Sequence, residues 1–132
     1  MNNYMIKTVK HIYNIFLAKT RDMHFSIKRS SKWPKLEKEF LIKNPKCAAC
    51  GSTKRLNVHH IIPFHLDKER ELDINNLITL CMSKNECHLR LAHGSLFRAW
   101  VPDIKLYIKQ IKSKEKTLEE MCKIAKANRQ YK

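Results

Sequence analysis

The chain has 132 residues, enough for one ordinary domain, and carries 27 Lys and Arg against 12 Asp and Glu for a formal net charge of +15. A positive field of that size on so small a body attracts polyanions, nucleic acid first among them. Acidic membranes are the weaker reading, because Lys7, Lys10, His11 and Asn14 interrupt residues 1–19 too often for a signal or spanning helix.

Residues 1–18 place Met5, Val9, Ile12, Ile15 and Phe16 at roughly helical intervals, which predicts an amphipathic helix within an N-terminal flank of residues 1–30. A second helix is expected from Ser30 or Ser31 as N-cap, with Pro34 in its first turn and Trp33, Leu36, Phe40 and Leu41 on one face. Asn44-Pro45 ends it. The run Leu56 to Ile62, rich in β-branched residues and closed by Pro63, reads as a short strand, and Leu77 to Leu80 as its partner. A short helix over about 86–92 is stopped by Gly94, and residues 102–129 carry one or two basic amphipathic helices with Ile104, Tyr107, Ile108 and Ile111 on one face. The fold class expected is therefore α+β: a small β-hairpin with a helix laid against it and further helices around it. With no linker in sight, residues 1–132 are taken as a single domain with a core at about 31–100 and a basic tail at 101–132.

Five cysteines, an odd number in a chain with no visible export signal, argue against a disulfide framework. Cys47-Ala-Ala-Cys50-Gly is a thiolate pair on a tight turn, and Cys81 and Cys87 supply a second pair with a longer spacer. The expectation is a structural zinc site of Cys47, Cys50, Cys81 and Cys87; the alternatives are His93 in place of one thiol, or no bound metal. Cys122, among Leu118, Met121 and Ile124 at helical spacing, reads as a buried apolar residue.

Between the cysteine pairs stand Val58-His59-His60-Ile61-Ile62-Pro63 and Asn75-Asn76-Leu77-Ile78-Thr79-Leu80-Cys81, and Cys87-His88 follows. Over roughly residues 31–100 this order resembles the HNH endonucleases, in particular short phage-type members with cysteine pairs flanking the motif. The resemblance implies a ββα-metal fold and cleavage of DNA. It implies His60 as general base, His59 and His88 as ligands of one catalytic divalent ion, and Asn76 as brace of the loop that orients His60. Many relatives carry Asp where this chain has His59. A nitrogen ligand there makes the site softer, so that Mn, Ni, Co or Zn stand beside the physiological expectation of Mg.

His65 and His93 read as solvated or locally hydrogen-bonded histidines, with substrate contact or metal ligation as the alternative. Lys28, Arg29, Lys32, Lys35, Lys38, Lys54, Arg55, Arg90 and Arg98 are candidate phosphate contacts, which give affinity without sequence readout. Arg98 and Trp100 can stack on bases, although Trp100 reads more naturally as core. The expected partner is DNA, in the cytoplasm of a bacterial or phage-infected cell and not at a membrane; a partner protein and a homodimer both stay open. The competing reading is a non-catalytic zinc-stabilised DNA-binding module, which needs the cysteines and the charge but not His59, His60 and His88 together. An RNA-directed role competes on charge alone.

Overall fold

A computed structural model describes residues 28–131, and residues 31–132 form one compact unit. The helix expected within residues 1–18 lies outside the described residues. Helix α1 spans Trp33–Lys43, with Pro34 in its first turn. Its N-cap position is Lys32, not a serine: Ser31 and Lys32 form a turn, and the first helical bond runs from the Leu36 N–H to the Lys32 carbonyl at 3.1 Å. Asn44 ends the helix by donating both its backbone N–H and its side-chain Nδ2 to the Phe40 carbonyl. Trp33, Leu36, Phe40 and Leu41 are half-buried, and the helix packs on the first strand.

Strands β1 (Leu56–His60) and β2 (Leu77–Cys81) pair antiparallel, with Leu56 opposite Cys81, Val58 opposite Thr79, His59 opposite Ile78 and His60 opposite Leu77. Because side chains alternate along a strand, His59 and His60 leave β1 on opposite faces. The excursion between the strands is held by two short 3-10 turns, Lys68–Arg70 and Ile74–Asn76, each capped by an aspartate side chain. Asp67 accepts from the Glu69 N–H and Asp73 from the Asn75 N–H. Together with the Arg70 guanidinium, the Asn75 N–H holds the Asp73 carboxyl below its ordinary range.

The expected helix after Cys87 forms as a single wide π-type turn, His88–Ala92, that sends Leu91 and Ala92 into the core. The tail forms two helices, α2 (Ile104–Lys112) and α3 (Leu118–Asn128). Ile104, Tyr107 and Ile108 are buried on the predicted face of α2, with Ile111 at its margin. Thr117 and Glu120 close a capping box on α3, which buries Met121, Cys122 and Ala125 against the π turn. Cys122 is a core residue, and burial pushes its thiol pKa up. A second two-stranded pairing, β3 (Ala99–Trp100) with β4 (Gln130–Tyr131), was not expected, since two residues are too few to show an alternating pattern. Trp100, read as core, is only half-buried there. No helix among the described residues is long and apolar enough to cross a membrane.

Gly94 ends the π turn with φ of 54°, and a methyl group added to it would lie 2.8 Å from the Ala125 carbonyl oxygen and 2.9 Å from the Arg129 Cβ. Backbone and side chain both refuse the substitution. Gly94→Ala is expected to cost about 2–4 kcal/mol, the left-handed penalty plus overpacking, read as a lower urea midpoint at unchanged slope.

Candidate functional site

Cys47 and Cys50 stand on a turn closed by the Gly51 N–H bonding the Cys47 carbonyl at 2.9 Å, with Gly51 at φ of 75°. Cys81 is the last residue of β2, and Cys87 precedes the π turn. The longer spacer between them closes through a bond from the Glu86 N–H to the Ser83 carbonyl, with Glu86 at positive φ. The four sulfurs lie within 4.8 Å of one another, and the Cys50 and Cys81 sulfurs are 3.6 Å apart. Four thiolates on one tetrahedral ion at ordinary zinc–sulfur bond lengths sit ~3.8 Å apart, so the group fits such an ion with little adjustment. The Cys47 sulfur accepts a hydrogen bond from Cys87, which holds the Cys47 thiol well below its usual range and pushes that of Cys87 up.

A second group forms on the other side of the hairpin. His59 Nδ1 approaches His88 Nε2 to 3.3 Å, and His93 Nε2 approaches the same atom to 3.3 Å, the three ligand atoms lying within 4.8 Å. Nitrogen ligands on one ion at bonds near 2.1 Å are separated by roughly 3.0–3.4 Å, so these imidazoles also fit. His93 donates its Nδ1–H to the Ala99 carbonyl at 2.6 Å, which fixes its tautomer and leaves the Nε2 lone pair directed at His88. The sequence reads His93 as a local hydrogen-bonder, with substrate contact, metal ligation or replacement of a zinc thiol as the alternatives; it lies with His59 and His88, not with the cysteines. The π turn explains why. In an α-helix residues i and i+5 diverge by about 140°, whereas one inserted residue brings them onto one side, as at His88 and His93. His59 and His93 are buried and His88 half-buried, so the group opens at the His88 end.

His60, the last residue of β1, donates its Nε2–H to the Glu71 carbonyl at 2.9 Å, and the Trp33 ring lies at a centroid distance of 4.4 Å. The donated proton makes Nδ1 the lone-pair atom of a neutral His60 ring. Asn76 is 1% exposed and joins the two ends of the excursion. Its Oδ1 accepts from the Ile62 N–H at 2.8 Å, while Nδ2 donates to the Ile62 and Arg70 carbonyls at 3.0 and 3.2 Å. Arg70 directly precedes Glu71, so one amide ties the strand end carrying His60 to the carbonyl that orients its ring. His65 lies in the same excursion, half-buried and outside the histidine group.

Of the basic residues singled out, Lys28, Arg29, Lys32, Lys35, Lys38, Lys54, Arg55 and Arg98 are exposed, with Lys35 paired to Glu39 along α1. Arg90 differs. Its guanidinium binds the Glu119 carboxylate on α3, which raises the Arg90 pKa and lowers that of Glu119, so it clamps the π turn to α3. The sequence marks it as a candidate phosphate contact; the ion pair to a partner 29 residues away is not visible from charge alone. Phe97 was not singled out either. It stands 52% exposed with its ring 5.1 Å from that of His93 and 6.0 Å from that of His88.

Residues 47–93 match the family model described as HNH endonuclease. No curated protein and no solved structure matches the chain. The matched span opens on Cys47 and closes on His93, so it contains the whole of both groups able to hold metal ions among the described residues. With its antiparallel hairpin and the following turn carrying those groups, the segment 47–93 is similar to the HNH endonuclease domain that the family model describes.

Proposed function

We propose that the protein is a metal-dependent endonuclease that hydrolyses DNA phosphodiester bonds. His60 is its general base, His59, His88 and His93 hold one divalent ion, and the cysteines hold a structural zinc. The observation carrying this reading is the convergence of the His59, His88 and His93 imidazoles, within a span that matches the HNH endonuclease model and that also contains a histidine of fixed tautomer, His60, belonging to neither ligand group. In the reaction His60 Nδ1 takes a proton from water as the water oxygen bonds to phosphorus and the bond to the leaving oxygen breaks. Asn76 holds the Glu71 and His60 segments in register, so that the ring keeps its orientation. The ion, when bound, neutralises charge on the phosphate and the leaving oxygen.

Three neutral nitrogens leave about half of a six-coordinate sphere to phosphate and water, and they favour Mn, Co, Ni or Zn over the oxygen-seeking Mg. The cysteine site, with no open position, serves stability alone. Lys32, Lys35, Lys54, Arg55 and Arg98 supply contacts to phosphate, which makes binding strongly salt-dependent and weakly sequence-specific. We take about 31–100 as the catalytic core and 101–132 as its buttress.

Conversion of supercoiled plasmid to nicked and linear forms tests the proposal. Cleavage is expected with Mn or Co at least as fast as with Mg, and is stopped by a chelator dose that leaves the thiolate-bound zinc in place. Salt-sensitive DNA binding by zinc-loaded protein, without cleavage under any divalent ion, would return the chain to a non-catalytic DNA-binding module.

A further inference from the structure

Beside the histidine group stands an aromatic ring that the chemistry proposed above does not use. Phe97 is half exposed, although the residues before and after its loop, Leu91, Ala92, His93 and Ala99, are buried. Single exposed apolar residues are common and need no explanation by themselves. This one differs in how firmly it is presented and in what it touches. The Ser95 N–H bonds the Leu89 carbonyl, the Leu96 N–H bonds the His93 carbonyl and the Ala99 N–H bonds the Leu96 carbonyl, at 2.9, 3.1 and 2.8 Å. Arg129 Nη1 holds the Gly94 carbonyl at 2.8 Å, and His93 itself is bonded to Ala99. Gly94 and Ser95 both adopt positive φ, at 54° and 66°. The fold therefore accepts a hydrogen-bonded double turn, strained at Ser95, whose outermost ring sits against two members of the ligand group.

A phosphate held at His59, His88 and His93 would lie beside that ring, whose centroid is 5.1 Å from that of His93 and 6.0 Å from that of His88. Paired bases in a duplex are stacked on each other and offer no face to a side chain, whereas an unpaired base does. Arg98, exposed and next in sequence, adds a cation at the same edge. Trp100, the aromatic residue that sequence reasoning singled out for stacking, is half-buried on β3 and paired with Gln130.

We propose that Phe97 stacks on the base flanking the scissile phosphate, so that the enzyme prefers DNA whose strands are locally unpaired. The inference rests on the nuclease reading of the histidine site. The test compares kcat/KM in Mn for a fully paired duplex and for the same duplex with a short mismatched bubble, using wild type, Phe97→Leu and Phe97→Trp. Wild type is expected to favour the bubble and to cut within or beside it. Phe97→Leu, which keeps apolar bulk but loses the aromatic face, is expected to lose about 10- to 100-fold on the bubble substrate and to bring the ratio of the two rates toward one. Phe97→Trp is expected to restore the preference. Equal cutting of both substrates by wild type, or an unchanged ratio in Phe97→Leu, would overturn the proposal and leave the nuclease reading standing. Failure of zinc-loaded wild type to cut either substrate would remove both.

Discussion

Replacing His60 with alanine will lower metal-dependent cleavage by about 100- to 10,000-fold, the usual contribution of a positioned general base. The loss will appear in kcat, and added Mn will not recover it, because His60 is not among the three imidazoles that converge on one another. His59→Ala provides the contrast. It removes a ligand atom, so its activity will return in part as the Mn concentration rises. Both variants should be checked for zinc content and for melting temperature, since both histidines are buried and the His60 ring packs against Trp33. Asn76→Ala behaves as a positioning change. It strips the half-buried Ile62 N–H and the Arg70 carbonyl of their partner, at about 1–3 kcal/mol of stability, and frees the segment that presents the Glu71 carbonyl to His60.

The second large effect is on folding. Removing the ion from Cys47, Cys50, Cys81 and Cys87 with a strong chelator will unfold the domain, seen as loss of far-UV helix signal and of a cooperative thermal transition. A structural zinc site contributes about 10–16 kcal/mol at neutral pH, which matches or exceeds the whole stability of an ordinary domain. Cys47, Cys81 and Cys87 are buried and join the first turn, the end of β2 and the start of the π turn. Without an ion, four sulfurs would stay crowded within 4.8 Å, with the Cys50 and Cys81 sulfurs 3.6 Å apart. Acid will have the same effect as the chelator, since protons compete for the thiolates. Cys81→Ser should fail to hold zinc and fail to fold. Cys122→Ser, placed in the core away from the knuckle, should keep its zinc and lose only about 1–3 kcal/mol for its buried hydroxyl. Full secondary structure and an unchanged melting transition in metal-free protein would show that the cysteines do not staple the fold.

The local patterns of the sequence determined the α+β class, the two hairpin strands within a residue at most ends, the apolar face of α2 and the partition of five cysteines into four knuckle sulfurs and one core residue. Those features depend on spacing along the chain: alternation in a strand, three-to-four periodicity in a helix, two residues between sulfurs on a turn. They are readable because the physical cause is itself local. Tertiary structure alone decided that His93 joins His59 and His88, since α-helical spacing would have turned it aside and only a π-type turn, fixed by the packing of Leu91 and Ala92 into the core, brings it round. It likewise decided that Arg90 meets Glu119, that Asn76 spans both ends of the hairpin excursion, and that Phe97 faces outward beside the ligand rings. Each of these depends on groups brought together by the folding of the whole domain, and no period in the sequence encodes such a meeting.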